Sequence, residues 1–405
     1  MTAINVALLG FGTVGQGVYD IIQTSQERLQ FFLKKPVKVV AVLVNNIEKH
    51  KSIEHEVLLT DSFEDIIELP HLDIVIDAIV GKASFPYLKR SIKRGCHIVT
   101  ANKEMFAEHG EELLSLAAKN QTAAGFEATV AGGIPIIQTL RKLLNINVVT
   151  KVEGIINGTS NFILTSMREE GQPFADTLKV AQEKGYAEAD PTNDIEGFDA
   201  YYKALILSQV VFGGVPQEED IFRKGITSIT EKEIQQADSI GLKFKHVAKL
   251  EKYDNTIQCK VQPVLVSASH PFYGVEGVTN AVSIDADIVG NIALTGPGAG
   301  KYPTASAVIE DILHLYQEPV PVFTGRNPQR GEQLKQRGGK WLIFSRSVDA
   351  SLLPQQFTSV DQLNEQTLYF EALEKDVRAF EKQNPEIAIY PVEGEFFFTK
   401  KTISL

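Results

Sequence analysis

The sequence predicts an α/β protein in which a doubly wound parallel sheet is followed by an α+β domain and a small C-terminal segment. Three observations lead there. Apolar runs of strand type alternate with helical stretches over the first third, a G-x-G-x-x-G pattern joins the first run to the first helix, and from about residue 130 the pattern changes to glycine-rich and carboxylate-rich turns.

The chain has 405 residues, 43% hydrophobic and 22% charged, enough for two or three packed domains. Forty basic against fifty-one acidic side chains leave a net charge of -11, which argues against nucleic acid or an anionic membrane as partner. Small-molecule chemistry fits better. Cys96 and Cys259 are too few and too distant for a disulfide framework or a thiolate metal site, so a reducing cytoplasm is expected. The opening MTAINVALLG lacks the character of a signal peptide, and no run approaches the length of a membrane helix, so the expectation is a soluble cytoplasmic protein.

The first element is INVALL at 4–9, a short continuous apolar run. GFGTVG follows at 10–15, and the pattern turns helical. Gly10 permits a tight turn, Gly12 lets the backbone approach a pyrophosphate, and Gly15 lets the helix pack on the strand, with Phe11, Thr13 and Val14 between them. Helix N-terminal amides would hold the phosphate. A second strand is VKVVAVLV at 37–44, and its end should tell the two nicotinamide cofactors apart: an acid would hold a ribose hydroxyl, an arginine a 2′-phosphate. Asn45 and Asn46 stand there and fill neither role, while Lys49, His50 and Lys51 read either as phosphate ligands or as a solvated basic turn. Strands at 73–80 and 96–100 flank the helical stretch PYLKRSIKRG, giving a Rossmann-type alternation. Ligands of such sheets lie beyond the carboxyl ends of the strands, which directs attention to Ile79, Val80 and Gly81 and to Thr100–Lys103.

The middle of the chain carries the chemistry. In EATVAGGIPIIQTLRKLL, from residue 127, Gly132 and Gly133 allow unusual dihedrals, so the carbonyls of Glu127, Val130, Gly132 and Ile134 can converge on a hard cation; the same residues also read as a helix-capping turn. GIINGTSNFIL at 154–164 reads as a short strand and then a polar turn, Asn157 to Asn161, whose small donors, Thr159 among them, suit a substrate carboxylate or an ordinary N-cap. Five carboxylates, Glu188, Asp190, Asp194, Glu196 and Asp199, then precede an apolar helix that carries one lysine, Lys203, four residues after Asp199. The two share a helix face. Framed by Asp199 and Glu188, a buried Lys203 would keep a proton in reach of a reacting oxygen, as hydride transfer to or from an alcohol requires. An exposed acidic loop with a solvent-facing ion pair is the alternative.

Six ordered motifs together resemble one family, homoserine dehydrogenase: GFGTVG at 10–15, TANK at 100–103, EATVAGGIPI at 127–136, NGTSNFIL at 157–164, GYAEADPTNDIEGFDAYYK at 185–203 and GPGAGKYPTASAV at 296–308. The likeness covers roughly residues 4–330. It implies interconversion of L-homoserine and L-aspartate 4-semialdehyde with NADP or NAD, on the route to threonine and methionine, by a homodimer or higher homo-oligomer. The family's catalytic lysine falls on Lys203, paired with Asp199, and its TANK lysine on Lys103. Its substrate positions fall on Glu188, Asp194 and Asp199, and its cofactor contacts on Phe11 to Val14, Ile79, Lys103, Gly185 and the turn near Gly298. Its cation carbonyls, for an ion such as Na+, match Glu127, Val130, Gly132 and Ile134. The implied division is a dinucleotide-binding domain at 1–129, completed by about 303–330, a substrate-binding and dimerisation domain at 130–302, and an α+β segment at 331–405, an altered regulatory module.

Three departures accompany the likeness. LVNN ends the second strand without the family's usual arginine, IVGKASFP differs from the usual double-glycine loop, and about 75 residues after Arg330 lack a clear regulatory pattern, so threonine feedback is not expected. That last segment reads as a strand (WLIFSRSV), a helix (LYFEALEKDVRAFEKQ) and a strand-rich tail (IAIYPVEGEFFFTK). The alternatives are a related dehydrogenase for another amino-alcohol and a cofactor-binding sensor, which would not need Glu188, Asp199 and Lys203.

Overall fold

A computed structural model describes residues 3–50, 53, 56–143, 145–253, 256–317, 338–345 and 350–397. Lys51, the stretch 318–330, Arg346–Val348 of the expected strand and residues 398–400 of the tail lie outside them.

In chain order the first elements are β1 (Ile4–Leu9), α1 (Thr13–Thr24), α2 (Gln26–Leu33), β2 (Val37–Leu43), β3 (Leu58–Thr60), α3 (Phe63–Ile67), β4 (Ile74–Asp77), α4 (Phe85–Arg94), β5 (His97–Thr100), α5 (Lys103–Lys119), β6 (Ala124–Gly125) and α6 (Ile136–Leu143). The six strands pair in parallel in the order β3-β2-β1-β4-β5-β6. The order reverses beside β1, where a doubly wound sheet places its ligand crevice. β1 is buried almost throughout, as expected of a strand covered by helices on both faces.

The chain continues through β7 (Val149–Ile155), α7 (Gly158–Glu170), α8 (Phe174–Glu183), α9 (Thr192–Ile195), α10 (Phe198–Phe212), β8 (Ile221–Arg223), α11 (Glu231–Ser239), β9 (Lys243–Tyr253), β10 (Thr256–Val266), β11 (Thr279–Ala286), β12 (Gly290–Pro297) and α12 (Lys301–Gln317). The last described elements are β13 (Gly339–Phe344), β14 (Thr358–Asn364), β15 (Thr367–Ala372), α13 (Glu374–Gln383) and β16 (Ile389–Glu393). A second, mixed sheet runs β12-β11-β7-β9-β10-β16-β13-β15-β14, with β8 also on β10. The C-terminal strands therefore extend this sheet, joined by the parallel pairing of Leu265 and Val266 with Val392 and Glu393.

The chain forms two compact units. One holds the residues through Val149, Tyr202–Val215 and a stretch from Leu294; the other holds Thr150–Tyr201, Pro216–Ala293 and the C-terminal residues. In the first unit, α12 turns Ala305, Val308, Ile309 and Ile312 inward at helical spacing, onto a core that includes Val18, Ile22, Val39 and Ile74. In the second, α7 and α11 bury Ile163, Met167 and Ile234 with Phe244 and Leu265 of the sheet.

Two elements depart from the sequence reading, and a third, the polar turn, takes the N-cap alternative it offered. β4 ends at Asp77, not residue 80, because the Asp77 carboxylate takes the Ile79 amide at 3.1 Å and turns the chain out of the sheet. The polar turn at 157–161 is the first turn of α7, whose N-cap is Asn157. The expected helix at 368–383 is a strand, β15, followed by a shorter helix, α13. Aromatic and β-branched residues fit a pleated surface, and Phe370 pairs with Trp341 on β13 and stacks on Phe357 at 4.7 Å.

Gly17 marks the closest approach of α1 to α12. A Cβ there would lie 2.6 Å from the Lys301 carbonyl oxygen and 2.9 Å from Ala305 Cβ. Gly17→Ala is therefore expected to destabilise the first unit by about 1–3 kcal/mol despite the better helix propensity of alanine, measured by denaturant unfolding. A stability equal to that of the unaltered protein would show that the two helices separate freely.

Candidate active site

In the first unit, the turn from β1 to α1 is shaped for a pyrophosphate. Gly10 has φ +96°, and a Cβ on it would stand 2.9 Å from the Ala78 carbonyl oxygen. A Cβ on Gly15 would run into the carbonyl of Gly10. Gly12 has nothing within 4 Å of where a Cβ would stand, and it caps α1, whose first turn holds no acid. Thr13, Val14 and Gly15 thus bring their amides to an open, positively polarised helix end. Phe11 packs edge-on to Tyr19 at 5.6 Å and to His50 at 5.4 Å, which ties the glycine turn to the segment after β2. Asn45 and Asn46 are exposed there, at the position where a ribose would be read.

Beyond β4, the Ile79–Ser84 loop hangs on a buried acid that sequence reasoning missed. Asp77 is fully buried; it accepts from the Ile79 amide, from Ser84 Oγ at 2.8 Å and from Thr100 Oγ1 at 3.0 Å. Burial pushes its carboxyl up to about 6, against the pull of those donors. Asn102 completes the knot, donating to the Gly81 carbonyl at 2.6 Å and capping α5 through Met105 N. Lys103 is thereby held at the first position of α5, with an exposed side chain. The signal available in sequence was an acid ending an apolar strand, IVID, in a sheet with no other reason to bury a charge.

The turn at 127–134 has Ala131 at φ 55° and Gly132 at φ 53°. Gly132 lies so close to the Gly298 carbonyl that any side chain would collide with it, and Gly133 N donates to Pro297 O at 3.0 Å. Gly298 and the proposed cation turn are thus neighbours. Among their carbonyls, that of Glu127 accepts from Val130 N at 3.3 Å and that of Ile134 from Ile136 N at 2.8 Å; each retains a second lone pair. The Glu127 carboxylate takes the amides of Ile137 and Gln138, both at 2.8 Å, and so caps α6. Among the described residues no group of three or more His, Cys, Asp or Glu is placed to hold a metal, so a cation here would depend on backbone oxygen.

A second missed acid, Asp311 on α12, accepts the Glu127 amide at 2.8 Å. Burial first, and the nearby Glu127 charge second, push Asp311 up to about 8; burial raises Glu127 to about 6.

In the second unit, the carboxylates of the acidic loop have separate uses. Asp190 closes its own turn on the amide and hydroxyl of Thr192, and Glu196 accepts from Thr227 Oγ1 at 3.1 Å. Asp194 and Asp199 are drawn together by Asn157, whose Nδ2 donates to Asp194 Oδ1 at 2.7 Å and to Asp199 Oδ2 at 2.9 Å. Glu188 is exposed, and its carbonyl accepts from Gln182 Nε2. Thr159 Oγ1 donates to the Tyr186 carbonyl at 2.6 Å, which ties the start of α7 to the loop after Gly185, itself at φ 74°.

Asp199 opens α10 and Lys203 follows one turn later, on the same face. Asp199 is 5% exposed and Lys203 9%, so the ammonium is not a surface cation. Removing a lysine from water is unfavourable unless carboxylates meet it, and Asp199 is the acid one turn away on the same helix.

A parallel sheet whose first turn suits a pyrophosphate, in a chain that also buries a lysine one helical turn from an acid, defines a nicotinamide-dinucleotide-dependent dehydrogenase. The family model described as homoserine dehydrogenase, NAD binding domain, matches residues 10–127, and the one described as homoserine dehydrogenase matches residues 135–313. The homoserine dehydrogenase of Bacillus subtilis is 40% identical over 341 residues, 83% of this chain and 78% of that protein. The crystal structure of a homoserine dehydrogenase from Thiobacillus denitrificans superposes with a TM-score of 0.87 at 32% identity, covering 97% of this chain and 99% of that one. A hyperthermophilic archaeal homoserine dehydrogenase in complex with NADPH superposes at 0.67 with 29% identity, covering 78% and 98%. The chain belongs to the homoserine dehydrogenase family, whose members are NAD(P)-dependent oxidoreductases. Among the described residues no helix is long and apolar enough to cross a membrane.

The buried acids set a pH dependence. Glu127 and Asp311 are both raised above their ordinary values of 4.5 and 3.8, so the stability tied to their protonated forms is present at low pH and is lost as pH rises through about 6 and about 8. Asp311→Asn keeps an acceptor for Glu127 N but no charge. The melting temperature of this variant minus that of the unaltered protein should climb between pH 4 and 8; a constant difference would mean that the Asp311 charge is not held at a disadvantage.

Proposed function

We propose that the chain interconverts L-homoserine and L-aspartate 4-semialdehyde with NADP or NAD, in the cytoplasm, as a homodimer or higher homo-oligomer, within threonine and methionine biosynthesis. The single observation that carries the assignment of roles is the burial of Lys203 one turn from a buried Asp199. When bound, the nicotinamide accepts hydride from the alcohol carbon and returns it in the reverse direction. Lys203 removes the hydroxyl proton as the carbonyl forms and restores it on reduction, while Asp199 stabilises its ammonium form. Lys103 assists at the same oxygen. Glu188, Asp194 and Asp199 bind the substrate ammonium, and the N-terminal turn of α7, which carries Thr159, offers its backbone amides to the carboxylate.

The dinucleotide would be held by Gly10, Phe11, Gly12, Thr13, Val14 and Gly15, and we assign further contacts with it to Asn45, Ile79, Lys103, Gly185 and Gly298. A monovalent cation such as Na+ would be held by the carbonyls of Glu127, Val130, Gly132 and Ile134. The positive φ of Ala131 and Gly132, which takes the turn out of regular helix or strand, supports this role.

Absorbance of the reduced nicotinamide, followed with homoserine and each oxidised dinucleotide in turn, tests activity and cofactor choice together. Lys203→Ala should lower kcat by about two to four orders of magnitude, with the dissociation constant of the dinucleotide nearly unchanged. Near-normal turnover in that variant would remove Lys203 from the mechanism.

A further inference from the structure

The polar turn that begins at Asn157 suits either a substrate carboxylate or an ordinary N-cap. The Asn157 amide is oriented for more than a cap. Oδ1 accepts from Ser160 N at 2.8 Å and from Ser160 Oγ at 2.7 Å, so the carbonyl end of the amide is committed to the first turn of α7. The NH2 end must then point the other way, and its two hydrogens go to two different acids, Asp194 Oδ1 and Asp199 Oδ2. Asn157 and Asp199 are both 5% exposed and Asp194 is half-buried, so these contacts are largely shielded from solvent.

Two carboxylates sharing one nitrogen repel each other, and in a buried setting that repulsion favours taking up a proton or swinging apart. The amide hydrogens offset it without neutralising either charge, because asparagine contributes no proton of its own. The Ser160 contacts lock the side-chain angle, so α9 and α10 present their acids at a distance set by a third helix, α7. Lys203, one turn along α10, and Asp190 and Glu196, flanking α9, are the other charged groups on α9, α10 and their junctions, while those of α7, Arg168, Glu169 and Glu170, lie at its far end; Asp190 and Glu196 are engaged with Thr192 and Thr227.

From this geometry we infer that Asn157 is a positioning residue, one that holds Asp194 and Asp199 ionised and correctly spaced to grip the substrate ammonium. The inference rests on the role given to those two acids under Proposed function. The residue is also the N-cap of α7, and a cap alone would explain its Oδ1 contacts but not both Nδ2 contacts.

Two variants separate the roles. Asn157→Ser keeps a good N-cap but is too short to reach both acids; Asn157→Asp keeps cap and shape while replacing two donors with acceptors. Both should fold and bind NADPH with nearly unchanged affinity, read by fluorescence of the reduced nicotinamide. With homoserine, KM should rise by about 10- to 100-fold, as expected for lost hydrogen bonds to charged groups, and more than kcat falls. Without substrate, 13C-carboxyl titration, assigned through Asp194→Asn and Asp199→Asn, should show at least one of the two acids moving up by about one pH unit in Asn157→Ser. Unchanged titration overturns the inference whatever the activity, as does a KM equal to that of the unaltered protein alongside a lowered melting temperature, which is the mark of a cap only. If the unaltered protein fails to oxidise homoserine while the titration shifts as expected, the substrate reading fails and the positioning of the acids stands.

Discussion

Charge taken out of water has to be met by a partner, and the arrangement of this protein around its site follows from that constraint. Lys203 and Asp199 are both removed from solvent on one apolar helix. Alone, either would be driven toward its neutral form. Lys203 lies one helical turn from Asp199, and Asp199 in turn accepts from the amide of Asn157.

The same device recurs where the backbone leaves regular structure. Asp77 turns the chain at the end of β4, and Glu127 caps α6 while Asp311 holds the amide of Glu127. In each case a side-chain oxygen supplies the acceptor that a strand or helix no longer provides. Segments that would otherwise be loose, the loop after β4 and the turn at 127–134, acquire a defined course. The acids concerned carry raised carboxyl values because burial outweighs the donors around them.

The features that could be read from the chain were local ones. Gly10, Gly12 and Gly15 state their purpose by spacing, since each is required within a few residues of the next. The four-residue interval from Asp199 to Lys203 states a shared helix face in the same way. The strand at 367–372 was misread because LYFEALEKD has helical periodicity at its end, whereas its aromatic half is decided by neighbours on β13 and β14. The junction at Asn157 was also out of reach, for it joins residues 37 and 42 positions apart.

By itself the sequence determined the doubly wound sheet, the glycine turn after its first strand and the shared helix face of Asp199 and Lys203, because periodicity and glycine spacing act within a single turn or strand. Only the tertiary structure decided that Lys203 is buried, that one amide binds Asp194 to Asp199, that Asp311 reaches Glu127 from 184 residues away, and that the C-terminal strands extend the second sheet. Burial and long-range hydrogen bonds depend on which surfaces meet after folding, and no local pattern along the chain records that meeting.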